Sequence, residues 1–248
     1  MPAPDLPDPA LLPTAAEVRA RYRVTDRATP YLRVNFISSI DGAASHDGLS
    51  GGLGDAADRL VFDTLRMFTD LILVGAGTVR AEGYGGLRLN DDAVAWRVAH
   101  GLAEQPPVAI VSGRLDLDPA HPVFTLAAVR PLVITHGQAP AARRQALAAV
   151  ADVLVCGEAA VDPALMLRTL TERGYPQVLC EGGPALFGSL MAADLVDELD
   201  LTLAPVLESG PAPRIAAAPQ PTPHRMHLLH ALPAGDTLLL RYQRPREL

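Results

Sequence analysis

The 248-residue sequence has few aromatic residues, 4% of the chain, so its core must be built from Ala, Val and Leu rather than stacked rings. It has two cysteines, Cys156 and Cys180, too few for a disulfide framework and without the spacing of a metal site. Each lies at the end of a short apolar run and reads as a small buried hydrophobe in a reducing, cytoplasmic setting. No apolar run approaches the roughly 18 residues that a bilayer-spanning helix needs. The start, MPAPDLPDPALLPTAAEV, has no basic segment and is broken by prolines, unlike a secretory signal. Residues 1–30 are expected to be a Pro-rich leader and 31–248 a single domain. Basic residues are also in the minority, 21 Lys and Arg against 28 Asp and Glu, for a formal charge of −7. That balance argues against nucleic acid or an anionic membrane as the main partner. A local basic pocket for a phosphorylated small molecule remains open.

What the chain does have is alternation. YLRVNFISS (31–39) reads as a strand, and 55–68 as a helix with Leu60, Val61, Leu65 and Phe68 on one stripe and Asp55 as cap. Buried strands are expected at 71–74, 108–111, 132–135, 152–155 and 177–180. Helices are expected at 140–150, 162–174 and 184–193, a strand at 197–206 and a closing hairpin at 227–244. Short Val/Ile/Leu strands separated by helices imply a mostly parallel sheet covered on both faces. The expected class is α/β, a three-layer α/β/α domain with an antiparallel C-terminal hairpin.

In such a sheet ligands bind beyond the C-terminal strand ends. Four loops there carry candidate chemistry. LVGAGTVRAEG (73–83) places Gly75 and Gly77 after a strand, but Arg80 stands where a Rossmann fingerprint needs its third glycine. What remains is a strand, two glycines and a short helix from Thr78, able to offer amides and a hydroxyl to an anion. A plain strand–helix turn has the same spacing. In CEGGPALFGSL (180–190), Gly182 and Gly183 follow a strand and Pro184 fits a first helical turn. Two such loops side by side could cradle one extended phosphate-bearing ligand, and Glu181 sits beside them. NFISSIDGAASHDG (35–48) places Asp41 at the end of the first strand, either as a turn residue or as a carboxyl that binds hydroxyls and delivers a proton. In VSGRLDLD (111–118), Ser112 and Arg114 suit a ribose 2′-phosphate where an acid would suit a free hydroxyl; an exposed loop arginine is the alternative.

Two motifs lack their context. GLSGG (48–52) matches a nucleophile elbow, yet no strand precedes Ser50, so a serine hydrolase is disfavoured. His224, His227 and His230 would share a helical face, but this segment reads as a strand, where that spacing alternates faces. No metal site is expected.

Together these loops resemble the reductase domain of riboflavin biosynthesis, the 5-amino-6-(5-phosphoribosylamino)uracil reductase family. Its S-x-D-G pattern is matched by Ser39-Ile40-Asp41-Gly42, and V-G-A-G-T-V by Val74-Gly75-Ala76-Gly77-Thr78-Val79. Its S-R pair appears stretched as Ser112-Gly113-Arg114. E-G-G-P-x-L is matched by Glu181-Gly182-Gly183-Pro184-Ala185-Leu186, followed by L-V-D-E-L at 195–199. The resemblance spans about residues 31 to 243. It implies a dihydrofolate-reductase-like fold and NADPH held by Gly75, Gly77, Thr78, Val79, Gly182, Gly183, Pro184 and Leu186, with Ser112 and Arg114 near the adenosine phosphate. It implies a ribosylaminopyrimidine 5′-phosphate substrate whose opened ribose is reduced at C1′. Asp41 is then expected to bind hydroxyls and assist proton delivery, Glu181 to orient the sugar, and Asn35, Ser39, Arg80 and Arg88 to complete the substrate site.

The sequence departs from the family pattern in three places. Asn35 stands where a lysine is common, and GLSGGLGDAAD (48–58) replaces a W-I-T-S-like segment. Arg59, Arg80 and Arg88 are then the candidates for the substrate phosphate. The zinc deaminase module often fused upstream has no H-x-E or P-C-x-x-C counterpart, so a free-standing reductase is expected; the resemblance and the long apolar C-terminal strands imply a homodimer paired through sheet edges. Two alternatives stay open: a reductase of dihydrofolate or another pterin on the same fold, and a non-catalytic nucleotide-binding module.

Overall fold

Strands that are apolar on both faces can be satisfied only between two layers of helices, and this chain alternates the two kinds of element. The computed structural model describes residues 12–245. In chain order it has α1 (Ala15–Tyr22), β1 (Tyr31–Ser39), a 3-10 turn (Ser50–Gly52), α2 (Ala56–Phe68), β2 (Leu71–Gly75), α3 (Ala76–Ala81), α4 (Asp91–Ala99) and β3 (Val108–Val111). There follow α5 (Pro122–Thr125), β4 (Leu132–Thr135), α6 (Ala141–Ala148), β5 (Asp152–Val155), α7 (Pro163–Glu172), β6 (Gln177–Cys180) and α8 (Pro184–Ala192). β7 (Glu198–Ala204), β8 (His227–Ala234) and β9 (Thr237–Gln243) close the chain.

The nine strands of the described residues form one sheet in the order β5-β4-β3-β2-β6-β1-β7-β9-β8. β5 through β7 in that order are parallel neighbours, and β9 joins β7 and β8 antiparallel. The three-layer α/β/α expectation and the antiparallel C-terminal hairpin are both met. Leu71 and Leu73 of β2 face Met166 and Leu170 of α7 and Phe187 and Leu190 of α8. Val74 faces the other way, with Val79 of α3 and Leu147 of α6. Leu179 of β6 shares that second side with α1 and α2. Cys156 and Cys180 are free and buried in the first of these clusters.

Three helices were not visible in the sequence pattern: α1, α4 and the single turn α5. α1 lies within the segment expected to be a leader; Thr14 and Glu17 form a reciprocal capping box at its start, and Val18 and Tyr22 are buried against α2. Residues 15–22 therefore belong to the same core as residues 31 onward, while residues 1–11 of the expected leader lie outside the described residues. α4 buries only Ala93 and Arg97, so no apolar stripe marks it. Arg97 instead donates to the carbonyls of Ala103, Met67 and Thr69, closing the C-terminal end of α2.

The central strands β2, β6 and β1 end side by side, which brings the loops that follow them together. All three belong to the glycine- and carboxyl-bearing segments singled out in the sequence.

Candidate active site

The loops after β2 and β6 are fastened to each other by main chain. The Gly75 amide donates to the Gly182 carbonyl at 2.7 Å, and the Glu181 amide to the Leu73 carbonyl at 2.9 Å. Gly182 has φ +93°, and a Cβ there would stand 2.9 Å from the Phe36 ring; glycine alone fits both demands. A Cβ on Gly183 would stand 2.6 Å from Thr78 Oγ1. The Gly182–Gly183 peptide is cis. Gly75 caps α3 and Gly183 caps α8, and neither cap makes a side-chain hydrogen bond. The helix after the first glycine pair thus starts at Ala76 rather than Thr78. Gly77 faces open space, and a Cβ there would meet nothing within 4 Å.

That open space is a cleft of about 440 Å³ bounded by Asn35, Asp58, Arg59, Phe62, Thr78 and Glu181, with Gly75, Gly77 and Gly183 on its wall. A second hollow of about 360 Å³ shares Gly75, Gly77, Ala185 and Leu186 with it and adds Arg80, Ser112, Gly113 and Arg114. The two are halves of one trough that passes over the glycine loops. Ala44, Ser45, Gly48, Ser50 and Gly51 roof the first half. Their segment is tied down by Ala44 N–H to the Pro213 carbonyl, by His46 to Glu208 at 2.8 Å and by Ser50 N–H to Glu82. Hydrogen bonding to Glu208 holds the His46 imidazole above its usual pKa.

Glu181 is not free to face a sugar. Arg66 grips both of its oxygens at 2.6 and 2.7 Å, and the Tyr84 hydroxyl donates to the same carboxylate. Burial drives the Tyr84 phenol well up, with the Glu181 charge adding to it. Glu181 is therefore better described as the anchor of Arg66, which in turn lies 4.0 Å over the Phe62 ring. Asp41 departs further from expectation. It is exposed and outside the cleft lining. Its carboxylate accepts from the Ser39 hydroxyl and from the amides of Glu208 at 3.1 Å and Ser209 at 2.7 Å. These bonds, that of Ser39 first, pull its pKa down to about 2, so it is an anion that fastens two loops and a poor proton donor. Ser39, fully buried, also accepts from Ala43 N–H and has no face on the cleft.

The remaining expected residues divide by position. Asn35 lines the cleft, and its Oδ1 is buried with no hydrogen-bond partner among the described residues. Arg59 lines the same half. Arg80 lies in the other half, beside Ser112 and Arg114, and donates to the Asp116 carbonyl. Arg88 is exposed and in neither half. Pro184 and Leu186 line the trough, whereas Val79 is fully buried in the core and presents no side chain to it. Ser50 sits in the 3-10 turn, not on a strand-to-helix elbow. His224 bonds the Met191 carbonyl, and His230 packs edge-on to Tyr22.

The family model described as the RibD C-terminal domain matches residues 30–240. The chain belongs to that family. A RibD from Mycobacterium tuberculosis, named a riboflavin biosynthesis protein, is 32% identical over 184 residues, covering 73% of this chain and 44% of that protein. The chain thus spans less than half the length of that relative. A 2,5-diamino-6-ribosylamino-4(3H)-pyrimidinone 5′-phosphate reductase from Methanothermobacter thermautotrophicus is 31% identical over 183 residues, 73% of this chain and 80% of that one. The crystal structure of a pyrimidine reductase-like protein from Corynebacterium diphtheriae superposes with a TM-score of 0.82 at 27% identity, covering 93% of this chain and 99% of that one. Dihydrofolate reductase from Enterococcus faecalis shares the fold alone, with a TM-score of 0.50 at 13% identity, 87% and 97% of the two chains being covered.

In this RibD C-terminal domain the trough suits an extended coenzyme with a pyrophosphate in its middle. The wall at 75–78 and 183–186 is main chain with no side chain in the way at Gly77 and no room for one at Gly183. Ser112, Arg114 and Arg80 gather hydroxyl and guanidinium groups at one end, the donors that a phosphate monoester accepts from. Sequence reasoning missed Arg66, Tyr84, Phe62 and Asp58. Arg66 is 115 positions from its partner Glu181, a spacing with no local signature, and Asp58 was hidden beside the helix cap Asp55. Among the described residues no helix is long and apolar enough to cross a membrane.

Proposed function

We propose that this chain is an NADPH-dependent reductase of riboflavin biosynthesis that converts the ribosyl group of a ribosylaminopyrimidine 5′-phosphate into a ribityl chain. The observation that carries the reading is the single trough over two bare glycine loops, with guanidinium groups at both ends. The relative named as a pyrimidinone 5′-phosphate reductase, matched over 80% of its length, supports the substrate class. NADPH bound along the trough would supply a hydride. The chain's own residues bind, orient and exclude water. Gly75, Gly77, Thr78, Gly182, Gly183, Pro184 and Leu186 form the main-chain wall for the coenzyme. Ser112 and Arg114, with Arg80, take its 2′-phosphate and set the preference over NADH. Arg59 is the guanidinium placed for the substrate's 5′-phosphate, and Asn35 offers an amide to its hydroxyls or ring edge. The Arg66–Glu181 pair keeps the wall behind them rigid.

A pterin substrate such as dihydrofolate is the second reading. The uncharged Asn35 favours it, since it leaves this half of the cleft less basic than a lysine would. Following NADPH absorbance with each substrate separates the two. Oxidation with the ribosylaminopyrimidine 5′-phosphate is expected; turnover of the unphosphorylated pterin alone would refute the assignment, and coenzyme binding without any turnover would make the chain a nucleotide-binding module. The same reading places the protein in the cytoplasm as a homodimer. Leu201 and Leu203 of β7 and Leu238 and Leu240 of β9 form a half-exposed apolar face beside Leu228, Ala231 and Pro233 of the edge strand, which a second copy would cover.

A further inference from the structure

Reducing a carbon–nitrogen double bond consumes a proton as well as a hydride, and some group at the trough must give that proton. Asp116 lies in the half that holds Arg80 and Arg114, while Asp41, Asp55, Asp58, Glu82 and Glu181 are the carboxyl groups in or near the half that holds Asn35 and Arg59. Asp41 lies outside, held by Ser39 and two amides. Asp55 accepts from the Asp58 amide and from the Thr237 hydroxyl. Glu82 accepts from the Ser50 amide, and Glu181 is clamped by Arg66. Asp58 is different. It lines the cleft half-buried, lies near the Thr202 hydroxyl of β7, which favours its ionised form, and is in no ion pair within 4.0 Å among the described residues. Gly54, on the same wall, leaves open the space beside it: a Cβ there would stand 2.9 Å from Asp58 Oδ2.

We propose that Asp58 is the acid that protonates the substrate nitrogen as C1′ is reduced. The proposal rests on the reductase reading of the same cleft. In the step, a hydrogen with its electron pair becomes the new C1′–H bond and the π pair of C1′=N moves onto nitrogen. That nitrogen takes the proton from Asp58, which is left as a carboxylate and is reprotonated from solvent. The substrate gains two electrons at the coenzyme's expense, and one proton is consumed. The surroundings favour the protonated form more than water does for an ordinary exposed aspartate. Burial raises the Asp58 carboxyl above the usual range, Asp55 adds to this, and Thr202 and Arg59 oppose it. The other charged or titratable groups nearby are Glu82 and the Arg66–Glu181 pair on the cleft, Asp63 of α2 beside Arg59 and Arg66, and Asp200 two positions before Thr202 on β7.

Carboxyl-carbon NMR of the ligand-free protein gives a readout that needs no turnover. Among the signals that titrate above the ordinary Asp range, which include that of Asp200, one should vanish in Asp58→Asn. In turnover, Asp58→Asn should lose about 100-fold or more in kcat, with KM and NADPH affinity changed by less than about threefold, and Asp58→Glu should recover part of the loss. Wild-type kcat should fall as pH rises through the Asp58 pKa, because the protonated form is the donor, and Asp58→Asn should lack that limb. A carboxyl titrating at or below the ordinary Asp value, or an Asp58→Asn enzyme that keeps its kcat and its pH limb, overturns the proposal. Failure of the wild type to reduce any ribosylaminopyrimidine overturns the functional reading instead; the Asp58 variants are then measured with the pterin that is reduced, where the same two results decide.

Discussion

The Arg66–Glu181 pair leaves side chains only 16% and 2% exposed. Removing one member of such a pair strands the other charge away from water, a loss of about 3–5 kcal/mol. Glu181→Ala should therefore lower unfolding stability by about 3 kcal/mol, or roughly 6–12 °C in Tm for a chain of this size. Thermal and denaturant melts check this; a drop below about 1 kcal/mol would show that Arg66 finds water or another partner. The sequence placed Glu181 rightly at the end of a buried strand beside two glycines. Its partner was out of reach, because only the β2–β6 pairing brings α2 over that strand end. Asp41 carried the opposite lesson. An Asp-Gly pair after a strand supports a turn or a site, and the fold chose the turn by turning the Glu208 and Ser209 amides onto it.

At the scale of elements, β2, β3, β4 and β6 were legible because each is a short, mostly apolar run buried almost throughout. β7 was legible as a strand but not in its orientation. Its leucines alternate with Glu198, Asp200 and Thr202, and the polar set is the buried one, 0%, 0% and 2% exposed. Arg33 of β1 and Arg241 of β9 meet Glu198 at 2.8 Å each and make that burial tolerable. Asp200 beside them has its carboxyl pushed well up by burial. The inversion turns Leu201 and Leu240, register partners on β7 and β9, toward the face proposed for dimerisation. Leu240→Lys should therefore give a monomer by light scattering at concentrations where the wild type is a dimer. A wild type that is already monomeric, or a variant that still pairs, would remove the proposed face from the account. α1 and α4 went unread because neither carries a continuous apolar stripe; a capping box and a buried arginine hold them instead.

At the scale of the molecule, an acidic chain keeps its useful positive charge at the two ends of one trough, Arg59 at one and Arg80 with Arg114 at the other. The glycine loops between them could be found in the sequence as paired glycines after buried strands, a spacing that a plain strand–helix turn shares. That they form one wall depends on the sheet order β2-β6-β1, which no local pattern specifies. Gly77 tests this arrangement cleanly, because a Cβ added there meets nothing within 4 Å and Gly77 lines both halves of the trough. Calorimetric titration of NADPH into the ligand-free wild type and into Gly77→Val is the direct measurement. Saturable binding at one site per chain is predicted for the wild type, weakened at least about tenfold, or 1.4 kcal/mol, in a variant with unchanged melting temperature. No heat of binding in the wild type, or equal affinity in the two proteins, would contradict the account.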